Sequence, residues 1–100
     1  MARKYAFKAK VWLYPGMKGA WHFVTVPKEI SQEIKELHGW GRRGFGSIRV
    51  IVTVGHTSWK TSIFPDKKTD AYLLPLKTDV RKKEGIVIDA TTAFTIEIEN

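Results

Sequence analysis

Apolar and polar side chains alternate over residues 4–14. Tyr5, Phe7, Ala9, Val11 and Leu13 fall on one face, and Lys4, Ala6, Lys8, Lys10, Trp12 and Tyr14 on the other. Period two with one apolar face predicts a half-buried strand, and Pro15-Gly16 predicts the turn that ends it. Residues 20–26, rich in aromatic and β-branched side chains, predict a second strand closed by Pro27. The period then changes. Ile30, Ile34 and Leu37 recur at helical spacing among charged neighbours, predicting a short helix over 28–38. Pro27 suits its first position and Gly39 the position after its last turn.

Gly41, Gly44 and Gly46 predict a loop before the clearest signal in the chain. Ile48, Val50, Val52 and Val54 alternate, Gly55-His56 can form a two-residue turn, and the chain returns through Thr57, Trp59, Thr61 and Ile63. A glycine opening such a turn favours the type II′ geometry of an antiparallel hairpin. The register then pairs Val54 with Thr57, Val52 with Trp59 and Ile48 with Ile63, which puts both apolar sets on one face. Pro65 is expected to close that strand, and Asp66 to Asp70 to form a charged loop. A short apolar strand follows over 71–76, interrupted by Pro75. Thr78 or Asp79 is expected to cap a brief helix that runs to Lys83 and stops at Gly85. A last strand, roughly 86–98, alternates at Thr92, Phe94, Ile96 and Ile98. Six strands and two short helices result. Strands with one apolar face bury their edges best by closing, so the expected fold is mainly β, a closed six-stranded Greek-key β-barrel with two short helices, forming a single domain over residues 1–100.

Charge changes the picture more than composition does. The net charge is +7, and residues 1–50 carry all of it, with ten basic side chains against three acidic ones. No acid precedes Glu29. That asymmetry favours a polyanionic partner. The chain has no cysteine, which excludes disulfides, thiolate metal sites and cysteine nucleophiles. No segment reads as a secretory signal or a membrane span, so a cytoplasmic protein without a membrane partner is expected.

The order of motifs resembles a known family. Phe7 and Ala9 mark the first strand, Phe23, Val24 and Pro27 the second, and Gly44 and Ile48 the entry to the hairpin. Leu74, Leu76 and Lys77 precede Val80, Arg81, Lys82 and Gly85. This pattern is similar to the small barrel catalogued as domain of unknown function 1905. The resemblance implies a closed barrel related to double-psi barrels, and it implies no activity. One departure falls before the last strand, where the family usually has Gly-Asp and this chain reads Asp89-Ala90.

Two candidate sites carry chemistry. Lys4, Lys8 and Lys10 share a strand face with Trp12 and Tyr14, and phosphates can pair with the ammonium groups while bases stack on exposed rings, Lys8, Lys10 and Trp12 being the chosen candidates. In the loop Gly41-Arg42-Arg43-Gly44, glycines let backbone N–H groups approach an anion and the two guanidinium groups can fork onto phosphate. Lys77, Arg81, Lys82 and Lys83 cluster around the second helix, where its dipole alone accounts for positive charge. Catalysis finds no constellation. His22, His38 and His56 have no ligand spacing, and no carboxylate pair, phosphate loop or dinucleotide fingerprint occurs. No cofactor or metal is expected. The residues therefore read as a non-catalytic binding module for an anionic ligand, nucleic acid or a phosphorylated small molecule. The alternative is a protein-interaction or structural module that uses an exposed aromatic patch containing Trp12, Trp21 or Trp40.

Overall fold

The computed structural model describes residues 3–14, 21–39 and 46–99. Seven antiparallel strands form one curled, half-barrel sheet accompanied by two short helices. In chain order the strands are β1 (Lys4–Lys10), β2 (Trp12–Leu13), β3 (His22–Thr25), β4 (Ile48–Val54), β5 (Thr57–Asp66), β6 (Ala71–Leu76) and β7 (Thr91–Ile98). Helix α1 (Lys28–Ile34) follows β3 and runs into a π-helical segment, Lys35–Gly39, and α2 (Thr78–Glu84) lies between β6 and β7. The strand order across the sheet is β1-β7-β4-β5-β6-β3-β2.

The β4–β5 hairpin has the expected register, with Val54 opposite Thr57, Val52 opposite Trp59 and Ile48 opposite Ile63. Gly55 takes φ +57°, which a primed two-residue turn requires. Every second residue of β4 is buried, and these side chains join Ile96, Ile98, Phe94, Leu74 and Val24 in the core.

Five expectations are corrected, each for a physical reason. The single strand over 4–14 is two strands, because Val11 leaves the ladder and bonds the turn before β7. Its N–H donates to the Ala90 carbonyl (3.2 Å), and its own carbonyl accepts from the Asp89 N–H (2.8 Å). Alternation holds as far as Val11, which is fully buried, and fails at Leu13, which is exposed. Pro65 does not close β5. It lies past Ile63, where pairing with β4 stops and pairing with β6 begins, so the missing N–H removes nothing from the β4 ladder. Pro75 likewise pairs only toward β3, at Phe23. At α2, neither Thr78 nor Asp79 caps the helix. Lys77 holds the N-cap position in extended geometry with no side-chain cap bond, whereas Gly85 does end the helix, at φ +63°. The last strand starts only at Thr91. Asp89 before it takes φ +68°, a left-handed conformation that glycine enters without strain.

Helix α1 is fastened to the sheet by one hydroxyl. Ser31 is buried, its Oγ donates to the Val26 carbonyl (3.0 Å), and it accepts from the Tyr72 N–H (3.0 Å). Near the start of β1, Arg3 pairs with Glu33 of α1 (3.7 Å). Burial, and next the Glu33 carboxylate, push the Tyr5 phenol above its usual range.

Two substitutions test this packing. Val52 is fully buried and paired with Trp59 on one side and Ile96 on the other. Val52→Asp buries a carboxylate at a cost of several kcal/mol against a total stability of roughly 5–15 kcal/mol, so it abolishes cooperative melting by circular dichroism. Ser31→Ala removes both bonds of the α1 anchor and lowers stability by about 1–3 kcal/mol in urea denaturation.

Candidate functional site

The inward side of the sheet is mostly aliphatic, with Phe7, Tyr72 and Phe94 in the core and Tyr5 and Trp59 packed against it, while its outward side carries a separate cluster of rings. Trp12 on β2 lies opposite Phe23 on β3. The β2–β3 pairing extends one step further, from the Tyr14 N–H to the Trp21 carbonyl (3.0 Å), which brings those two residues alongside. Phe23 is the hub. Its ring centroid lies 5.5 Å from Trp12, 5.7 Å from Tyr14 and 6.2 Å from Trp21, and Trp12 and Tyr14 stack at 6.0 Å. Offset and edge contacts at these distances are the favourable ones for aromatic pairs.

The four rings divide by exposure. Trp12 is half-buried, and its indole N–H donates to Thr25 Oγ1 at 3.1 Å, so packing and a hydrogen bond both hold it. Phe23 is also half-buried. Tyr14 and Trp21 remain 43% and 49% exposed, which leaves ring surface open to a ligand. Of the four rings, Tyr14 and Trp21 present the most open surface.

A cavity of about 490 Å³ opens beside Trp21. Trp21, Phe23, Phe64, Leu73 and Pro75 supply its apolar wall and Arg49 with Ser62 its polar one; Thr61 also borders it, although by alternation it shares the inward face with Ile63 and its partner Val50. Strand register explains the assembly. Phe23 faces Pro75, Phe64 faces Leu73, and Arg49 faces Ser62, so the wall crosses β3, β6, β5 and β4 on the outward side. Arg49 and Lys60 both approach Glu99, at 3.6 and 3.5 Å, and two cations on one carboxylate leave a positive charge uncompensated.

The lysines of the first strand behave as the alternation predicts. Lys8 and Lys10 are exposed, opposite Ala93 and Thr91 of β7, on the outward face of the segment that continues into Trp12. Arg42, Arg43 and Trp40 lie outside the described residues. Of the cations around α2, Lys82 and Lys83 are exposed in its last turn. Arg81 is different. Its guanidinium donates to the Leu76 carbonyl (3.4 Å) and to Thr78 Oγ1 (2.9 Å) and meets His22 Nε2 at 3.3 Å, tying α2 to β3 and β6. Sequence spacing offers no hint of that contact, because residues 22 and 81 meet only through the fold. A second groove, about 560 Å³, lies between α1 and the loop after β5. Its rim mixes Lys35 and Lys67 with Glu36, Asp66 and Asp70, and so shows no preference for one sign of charge. Among the described residues no group of three or more histidine, aspartate or glutamate side chains could hold a metal ion, and no helix is long and apolar enough to cross a membrane.

Fold and surface together define a small, mainly β, barrel-like domain with an aromatic outer face. The sequence profile of the domain of unknown function 1905 matches residues 7–96, and the chain belongs to that family. No curated protein matches it significantly.

The division of the rings has a measurable consequence. Trp21→Ala leaves stability within about 0.5 kcal/mol of the parent, as for an exposed side chain. Trp12→Ala costs about 2 kcal/mol, from lost ring packing and the broken bond to Thr25. Equal losses for the two variants in urea denaturation overturn the division.

Proposed function

We propose that this domain is a non-catalytic binding module for single-stranded nucleic acid, held across the outward aromatic face and along the lysines of β1. The observation that carries the reading is the ring cluster around Phe23, lying on the same side of the sheet as Lys8 and Lys10. Exposed rings give stacking surfaces that any base can use, and cations beside them follow the phosphates. Arg42 and Arg43, outside the described residues, are proposed as further phosphate contacts on charge alone. The buried aliphatic side of the sheet leaves little room for a reaction chamber, and the histidines sit apart, in β3, at the end of the π-helical segment and in the hairpin turn. A cysteine-free, basic chain suits a cytoplasmic setting.

The same proposal takes the curled sheet as a closed six-stranded Greek-key barrel related to double-psi barrels. Counting β1 and β2 as one bent strand supports this, since the segment pairs first with β7 and then with β3.

Fluorescence anisotropy of a labelled single-stranded oligonucleotide across a salt series tests the function. Binding is expected to be micromolar or weaker and to fall steeply with salt. The double variant Lys8→Ala/Lys10→Ala removes about two phosphate contacts and flattens the slope of log K against log salt by about 1.4. Trp21→Ala weakens binding by about 1–3 kcal/mol and leaves the slope unchanged. Arg42→Ala/Arg43→Ala reports the contribution of the Gly/Arg loop on the same axis. An absence of binding at low salt overturns the proposal. An aromatic surface that instead captured an apolar peptide would respond little to salt.

A further inference from the structure

The cavity beside Trp21 is more than a gap at the margin of the ring cluster. Its apolar wall is continuous across three strands, from Phe23 through Leu73 to Phe64, and its polar end is a single arginine. Leu73 points outward yet is only 8% exposed, which is unusual for the solvent side of a sheet and marks a floor shielded by its neighbours. Trp21 and Phe64, 49% and 42% exposed, stand at the two ends of the groove. Phe64 faces Leu73 and Leu73 faces Thr25, four residues along β3 from Trp21, so the two rings lie diagonally across the groove with Phe23 and Pro75 between them.

We infer that this groove seats one nucleotide of the bound strand, its base against the apolar wall that runs from Trp21 and Phe23 to Phe64 and its phosphate on Arg49. The inference rests on the function proposed above and locates the base-holding position within it. Charge selects the occupant. A proline-rich or apolar peptide would be satisfied by the rings alone, whereas a nucleotide needs an apolar surface for its base and a cation for its phosphate. Arg49 fits that second need. Its side chain is 71% exposed, and because it shares Glu99 with Lys60 it retains attraction for an incoming anion. A guanidinium can also take two phosphate oxygens at once, which an ammonium cannot. Ser62, which faces Arg49 on the same wall, offers a hydroxyl without fixing a base identity. The groove accordingly tolerates every base.

Phe64→Ala and Arg49→Gln separate the two halves of the groove, and both change exposed side chains, so both variants retain the parental circular dichroism spectrum and melting. With a single-stranded oligothymidylate of about ten residues as the probe, Phe64→Ala is expected to weaken binding about tenfold at unchanged salt slope. Arg49→Gln is expected to flatten the slope by about 0.7, the value of one contact. Thymidine 5′-monophosphate distinguishes a strand from a free nucleotide. It should bind far more weakly than the oligomer, quench Trp21 emission, and lose that quenching in Arg49→Gln. Oligomer binding identical in parent and both variants removes the groove from the site while leaving the Phe23 cluster and its lysines standing. No oligomer binding by the parent protein overturns both readings. Monophosphate binding as tight as oligomer binding reassigns the groove to a free nucleotide and overturns the strand.

Discussion

The fold depends on two segments that each serve two ladders. β5 pairs with β4 as far as Ile63 and with β6 from Phe64 onward. The amino-terminal segment pairs with β7 as far as Lys10 and with β3 from Trp12 onward. Backbone N–H and C=O groups must find partners wherever they are buried, and a strand that changes partner satisfies one set after the other without ending. At the second change the transfer falls on Val11, whose two backbone bonds go to Asp89 and Ala90. A fully buried side chain thus sits at the point where the chain leaves one ladder for the next. The left-handed Asp89 makes that meeting possible, because the turn before β7 must present an N–H and a C=O to the same residue.

Curling the sheet sorts side chains by size as well as polarity. The concave side receives Val, Ile and Leu from β4, β6 and β7, which fill a narrow interior with stiff, branched shapes. Phe7 and Phe94, stacked at 5.6 Å, are packed into it with Tyr72, and Tyr5 and Trp59 pack against it. The rings of Trp12, Tyr14, Trp21, Phe23 and Phe64 face outward. On the convex side they pack on one another and on Leu73 and Pro75. Apolar area left on a convex surface in one contiguous patch has to be explained by something that covers it.

How much of this was legible beforehand depends on whether the signal was local. The β4–β5 hairpin is fully written in consecutive residues: alternation states the face, Gly55 states the turn, and together they determine the register. The same holds for the burial of Phe94, Ile96 and Ile98 in β7. Partner changes are another matter. Nothing in the alternation of residues 4–14 signals that the ladder changes at Val11, since the cause lies near residue 90. Prolines 65 and 75 misled for a related reason, as a proline breaks a strand only when its missing N–H had a neighbour to serve. In the candidate site, the outward lysines were readable from period two alone. The ring cluster was not, because it needs Trp12 and Phe23 to be cross-strand partners, and neither was the groove, which draws on four strands.

The proposed surface gains its character from the order in which these features occur along the chain. Lys8 and Lys10 precede Trp12 and Tyr14 on one outward face, and β3 returns beside them with Trp21 and Phe23. Stacking and ionic attraction therefore come from one supersecondary unit, the bent first strand and its neighbour. Their distance dependence differs, which makes the combination useful. Ionic attraction reaches about 8–10 Å at ordinary salt and draws a strand in without regard to its bases. Ring stacking acts only on contact and holds whatever base arrives. On the proposed function, a face built in this way would bind many sequences with modest affinity. The half-buried rings of Trp12 and Phe23 pack against Tyr14 and Trp21, so that little ordering would be needed for a strand to settle on them.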